Sequence, residues 1–239
     1  MSKLAVGGAR RIWVTRASPG AEATAARLRA MGLEPLVDPL LDVRNLSPTL
    51  DLTGVAALAF TSVNGVAAFA RLETDRTRPV FAVGDRTARA AREAGFADVA
   101  SADGDVEALA ALIMGQAARL DGAVLHPSAL EPAGDLISPL IAAGLSVRRV
   151  AVYETRDRAP LPTTLAALDG LETVLLHSPR AARKLAEILG KRPAPRLRAL
   201  CLSAAVAQPL EALARAGGLG SVASAPHPNE TALLNLLTA

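Results

Sequence analysis

The strongest constraint on the fold is a junction that the chain makes twice. Leu58-Ala59-Phe60 runs into Thr61-Ser62, and an Ala-rich segment from Gly65 to Ala70 follows. Val174-Leu175-Leu176 runs into His177-Ser178-Pro179-Arg180 and then a second Ala-containing segment. Apolar runs this short are buried strands rather than helices, and Ser is a preferred N-cap. Pro179 falls at the first helical position, where its missing N–H has no partner to lose. Each junction therefore reads as a strand breaking into a helix. The first turn of such a helix leaves backbone N–H groups open beside the positive end of its dipole, and an anionic group can bind there. The plain alternative is that Ser62 and Ser178 only cap their own helices.

Around these junctions ten strands are read: Arg11–Thr15, Glu34–Asp38, Val55–Phe60, Val80–Val83, Asp98–Ser101, Ala123–His126, Leu145–Tyr153, Thr173–Leu176, Leu197–Leu202 and Ser221–Ala223. Helical segments alternate with them, which predicts parallel sheets wound by helices. Ser18 and Pro19 open the first helix and Gly32 closes it. Asp85 reads as a cap after Gly84, Asp103 or Asp105 as the next, Ser128 to Glu131 as a capping box, and Asn229 as the cap of the last helix. Pro39 through Pro48 reads as an extended connection. The order of elements from Phe60 to Ser101 returns from Leu176 to Ala223. Ser178 lies 178 − 62 = 116 positions after Ser62, and Ser203 lies 203 − 84 = 119 after Gly84. An offset this steady predicts a duplication and two similar α/β domains of five strands each. Ligands of open α/β sheets sit outside the carboxyl ends of strands, where all four of these turns fall.

Composition narrows the chemistry. No run approaches the 18 apolar residues of a membrane span, and the N-terminus lacks the apolar core of a secretory signal. One cysteine, Cys201, leaves no internal disulfide and fits a reducing compartment, so a cytoplasmic protein is expected. It reads as a core residue at a strand end. Of 26 basic residues only Lys3, Lys184 and Lys191 are lysine, and arginine's planar fork suits carboxylates. No basic run alternates with aromatics, which argues against nucleic-acid binding. There is no P-loop, metal-ligand cluster or Gly-x-Gly-x-x-Gly after a strand. His126, His177 and His227 stand far apart and read as turn residues. Hydroxyls, backbone amides and arginines remain, with Arg16, Arg86 and Arg180 just past strand ends. Tyr153 is the sole tyrosine. As a structural residue it would bury its ring and reach its hydroxyl to solvent.

Val14-Thr-Arg16, Phe60-Thr-Ser-Val-Asn64, Ala82-Val-Gly-Asp-Arg-Thr-Ala88, Val152-Tyr-Glu-Thr155, Leu176-His-Ser-Pro179 and the strand ending at Cys201 together resemble uroporphyrinogen-III synthases, from Trp13 to the last helix. The resemblance implies two α/β domains with interleaved connectivity, joined by two linker strands, with a cleft between. Residues 1–38 and 160–239 would form one domain, 47–148 the other, and 39–46 with 149–159 the linker strands, whereas periodicity alone equally allows two tandem domains split near Asp121. It implies cyclisation of the linear tetrapyrrole hydroxymethylbilane to uroporphyrinogen III, with loss of water and inversion of the last ring through a spiro intermediate. No cofactor, metal, nucleic acid or membrane is implied, and the protein is expected to act as a monomer.

The substrate carries acetate and propionate on every ring, which suits amides, hydroxyls and arginines. The resemblance places Tyr153 as the catalytic group that helps the hydroxyl leave as water. Arg16, Thr61, Ser62, Asn64, Gly84, Arg86, Thr87, Ser178, Arg180 and Ser203 are the expected substrate-binding residues. Ser203 and Val206 stand where many relatives have Gly and Thr, and His126-Pro127 where a turn is often Arg-Gly. The competing reading is a non-catalytic, two-lobed α/β module that binds an anionic ligand and has no need of Tyr153.

Overall fold

A computed structural model describes residues 10–18 and 20–238. Pro19, expected to open the first helix, lies outside them. The chain divides into two compact units, one holding the chain up to Asp42 and again from Arg156, the other Val43–Thr155.

The first unit is a five-stranded parallel sheet built from β1 (Arg11–Val14), β2 (Glu34–Val37), β9 (Thr173–Leu176), β10 (Ala194–Cys201) and β11 (Leu219–Ser224), in spatial order β11-β10-β9-β1-β2. Around it run α1 (Gly20–Ala30), α6 (Pro162–Ala166), α7 (Pro179–Lys191), α8 (Ala204–Arg215) and α9 (Glu230–Asn235). The central strands are apolar throughout because both their faces are covered. On β1, Trp13 packs with Val174, Leu176 and Leu185 on one side, while Ile12 and Val14 join Leu28, Leu175 and Leu233 on the other. Trp13 is wholly buried, and its indole N–H donates to the Asp38 carbonyl over 2.8 Å. The Asp38 carboxylate is buried as well. It accepts the Leu161 N–H at 2.7 Å and pairs with Arg158 at 3.3 Å, so the returning chain is tied to the end of β2.

The second unit has six strands: β3 (Leu41–Asn45), β4 (Val55–Phe60), β5 (Val80–Ala82), β6 (Val99–Ser101), β7 (Ala123–Ala129) and β8 (Val147–Asp157), in order β3-β8-β7-β4-β5-β6. Its helices are α2 (Val63–Leu72), α3 (Asp85–Glu93), α4 (Val106–Gly115) and α5 (Ile137–Ala142). Read as β2-β1-β9-β10-β11 and β8-β7-β4-β5-β6, the two sheets have the same order with parallel neighbours, and β4, β5, β6 stand where β9, β10, β11 do. The steady offset in sequence has its counterpart in topology. Among the described residues no helix is long and apolar enough to cross a membrane.

The structure departs from the sequence reading at four places. The described residues form eleven strands rather than ten, because β3 is a strand and not an extended connection. The two stretches read as linker strands are thus largely strands of the second sheet, β3 at its edge and β8 beside it. Leu46 N–H bonds Val152 O and Arg158 N–H bonds Leu40 O, both at 2.8 Å, an antiparallel ladder that satisfies the backbone of a polar strand. Ser128 opens no helix: it is buried in β7, and Asp135 instead accepts the Ile137 and Ser138 N–H groups at the start of α5. His126 is a buried β7 residue rather than a turn, with Nδ1–H donated to Ala59 O at 2.8 Å. Burial lowers its pKa, the Ala59 bond raises it, and the nearby Arg149 lowers it further. Finally, Gly84 caps α3 with its backbone alone, and Asp85 is the first helical residue.

Candidate active site

In the second unit the predicted residues gather at the carboxyl ends of β4 and β5. Ser62 is the N-cap of α2, its hydroxyl accepting the Asn64 N–H at 3.0 Å. Thr61, Ser62 and Asn64 are half-buried, so each keeps a path to solvent. Gly84, in extended conformation, leads into α3, with Arg86 exposed and Thr87 buried in its first turn.

Tyr153 lies on β8, 7 % exposed, packed with Ala68, Val152, Val43 and Leu50. It is paired with Ala129 beside a register shift in β7. Burial raises the phenol above its ordinary pKa near 10, and a side-chain hydrogen bond with Ser62 pulls part of the way back. At neutral pH the phenol is protonated and can donate. The tyrosine ring and the α2 residue Ala68 share one buried cluster.

Gly65 is the reason they can meet. A Cβ there would stand 2.9 Å from the Pro127 carbonyl oxygen, 3.5 Å from the Phe60 ring and 3.8 Å from the Tyr153 ring. The carbonyl belongs to a strand and has little room to give. Gly65→Ala should cost about 1–3 kcal/mol of stability through overpacking, which outweighs the gain of at most about 1 kcal/mol in helix propensity. Thermal unfolding checks this, and an equally stable variant would show that α2 shifts freely.

In the first unit the matching edge is formed by the ends of β1, β9 and β10. Ser178 caps α7 by accepting the Ala181 N–H at 3.2 Å. Arg180, two residues into the same helix, pairs with Asp157 at 2.7 Å. Ser203 is the N-cap of α8 but makes no side-chain cap bond, and Val206 is buried beneath it. Cys201 is a core residue whose thiol burial pushes up to about 12.

Arg16 stands at the end of β1, held by a residue that the sequence reading passed over. Its Nη1 donates to Glu230 Oε2 at 2.9 Å. His177 Nε2 meets the same oxygen at 2.9 Å, and the Thr24 hydroxyl donates to Oε1 at 2.5 Å. His177 is thus a partner of this carboxylate, whereas His227 is an exposed turn residue as expected. Burial alone would raise the Glu230 pKa, but the bonds from His177 and Thr24 and the charges of His177 and Arg16 bring it down to about 2. A Glu opening an Asn-capped helix reads locally as a dipole partner, so nothing in its neighbourhood announced this role.

The profile of the uroporphyrinogen-III synthase HemD family matches residues 22–235. The chain belongs to the uroporphyrinogen-III synthase family. The fold agrees. The crystal structure of uroporphyrinogen-III synthetase from Helicobacter pylori is similar with a TM-score of 0.64 at 21% identity, over 96% of this chain and 98% of that one. A mutant uroporphyrinogen III synthase from Thermus thermophilus gives 0.56 at 19% identity, over 96% and 97%. No curated protein matches this member of the family in sequence.

Proposed function

We propose that Tyr153 is the proton donor in the reaction that family membership gives this chain, the cyclisation of hydroxymethylbilane to uroporphyrinogen III. The phenol carries the reading: a buried, protonated donor beside a helix cap, at the carboxyl end of a parallel sheet. The hydroxymethyl carbon–oxygen bond breaks, its electron pair leaves with oxygen, and the phenolic proton completes a water molecule. The pyrrole nitrogen stabilises the electron-poor methylene carbon that remains. That carbon bonds to the substituted α-carbon of the last ring to give the spiro intermediate. The bond from this α-carbon to its old methylene breaks and re-forms at the ring's other α-carbon, and the proton released there restores the phenol. The protein's task is to hold the two ends in one geometry, a contribution of proximity and orientation.

The substrate carboxylates bind, in this proposal, at the strand ends of each unit. Thr61, Ser62, Asn64, Gly84, Arg86 and Thr87 serve in the second unit, and Arg16, Ser178, Arg180 and Ser203 in the first. We further propose that the protein acts as a monomer in the cytoplasm, without nucleic acid.

Incubation with freshly made hydroxymethylbilane, followed by isomer analysis, tests the reading. Isomer III should predominate, and its formation should survive a chelator. A product mixture identical to the protein-free control would leave a ligand-binding module in place of an enzyme.

A further inference from the structure

We propose that Glu230 is a positioning residue for substrate recognition: it fixes the direction of Arg16 and His177 at the carboxyl edge of the first sheet, so that they meet a substrate carboxylate already oriented. The inference rests on the tetrapyrrole reading above.

Four separate segments converge on this one carboxylate. Arg16 follows β1, Thr24 lies on α1, His177 follows β9, and Glu230 opens α9. Both carboxylate oxygens are occupied, Oε2 by Arg16 and His177 and Oε1 by Thr24. Arg16 Nη1 also lies 3.4 Å from the Thr24 hydroxyl. The side chains of Arg16, Glu230 and His177 are 15%, 19% and 9% exposed, so solvent screens these contacts far less than those of surface pairs. Glu230 stays ionised at neutral pH, which keeps both of its partners in place.

A missing side chain completes the mould. A Cβ on Gly20 would stand 2.4 Å from Arg16 Nε and 2.6 Å from Cζ, so the guanidinium lies on the bare backbone of the first residue of α1. Gly20 has an ordinary backbone conformation, and positive φ is therefore not what it supplies.

Stability alone is a weak reason for such a network, since well-packed apolar side chains of similar volume commonly serve as well or better. Its location suits recognition instead. His177 stands directly past the end of β9 and adjoins Ser178, and Arg16 stands two residues past the end of β1. A guanidinium set in one direction matches the planar geometry of a carboxylate, whereas one free to rotate loses rotamer freedom on binding.

Two substitutions disturb the device by different routes. Glu230→Gln removes the charge that holds Arg16. Gly20→Ala leaves every charge and every partner in place and displaces the guanidinium sterically. Each should raise KM for hydroxymethylbilane about tenfold, with kcat within about threefold of wild type. The dissociation constant for uroporphyrin III, the stable oxidised form of the product, should rise in parallel by calorimetry. In an Arg16→Ala background, Gly20→Ala should add nothing further, because the group it displaces is gone.

Unchanged KM and unchanged uroporphyrin affinity in both single variants would overturn the proposal, whatever happens to their melting temperatures. So would an equal effect of Gly20→Ala with and without Arg16. If Glu230→Gln fails to fold, the Gly20 and Arg16 cycle decides by itself. Wild-type protein that binds uroporphyrin III but makes no isomer III would refute the reaction assigned above, and the binding arm would still judge this inference.

Discussion

Tyr153→Phe should lower turnover about 100-fold while leaving product affinity and melting temperature close to wild type. The substitution deletes one oxygen and keeps the ring that packs against Ala68 and Val152. General acid catalysis contributes about 10² to 10⁴ in rate. The lower bound is expected because water or a substrate carboxylate can deliver a proton less efficiently. Loss confined to kcat identifies a group acting in the transition state; loss confined to KM identifies a binding group. The pH profile adds a second check. With the phenol's pKa raised by burial, the donor form persists throughout the neutral range and is lost only above pH 10. Turnover of wild type should therefore show no alkaline decline that Tyr153→Phe abolishes at lower pH. Full activity in the variant would make the phenol structural and leave water or the substrate as the acid.

Trp13→Ala should be the most damaging single change to stability, costing about 3–5 kcal/mol. Trp13 is wholly buried at the centre of the first sheet, and the void left behind is lined by Val174, Leu176 and Leu185. Trp13→Phe separates two contributions. It keeps most of the packing but leaves the buried Asp38 carbonyl without its indole partner at 2.8 Å, a loss of about 1–3 kcal/mol. Urea unfolding followed by circular dichroism measures both, since neither variant retains the only tryptophan. A Trp13→Ala midpoint within error of wild type would show that the sheet closes over the gap.

Local signals were the legible ones. Ser62, Ser178, Asp105 and Asn229 cap the helices that the sequence assigned to them, because an N-cap is decided by its own side chain and the next three N–H groups. The duplication was legible for the same reason, as a repeated order of local patterns. Ser128-Ala-Leu-Glu131 shows the limit. Its capping-box spacing is sound, but β7 is buried and pairs with β8 through Ala129, and that pairing overrides the local preference. β3, Leu-Asp-Val-Arg-Asn, alternates over only two apolar residues between Pro39 and Pro48, and it pairs with a strand more than 100 residues away.

The candidate site divides along the same line. The strand-end hydroxyls proposed for the site are named by the sequence, and Tyr153 by the family resemblance. Glu230 and Thr24 were not, since the contacts that define them span 214 and 206 positions. Gly20 and Gly65 carried a faint clue, each being a poor helix former in the first turn of a helix. Only the neighbouring atoms reveal that the missing Cβ is the point.

The placing of β1 between β2 and β9 has a consequence for synthesis on the ribosome. β1 ends at Val14 and β9 begins at Thr173, so every residue of the second unit emerges before the strand that covers one whole edge of β1. At about 5–20 residues per second, the nascent chain waits on the order of ten seconds with a short, apolar, unpaired β-edge near its leading end. Val43–Thr155 is already complete when β9 begins, with its own sheet to collapse upon. β1 is translated ahead of the whole second unit yet gains its β9 neighbour only after that unit is complete, and during that interval its open edge invites chaperones and neighbouring chains.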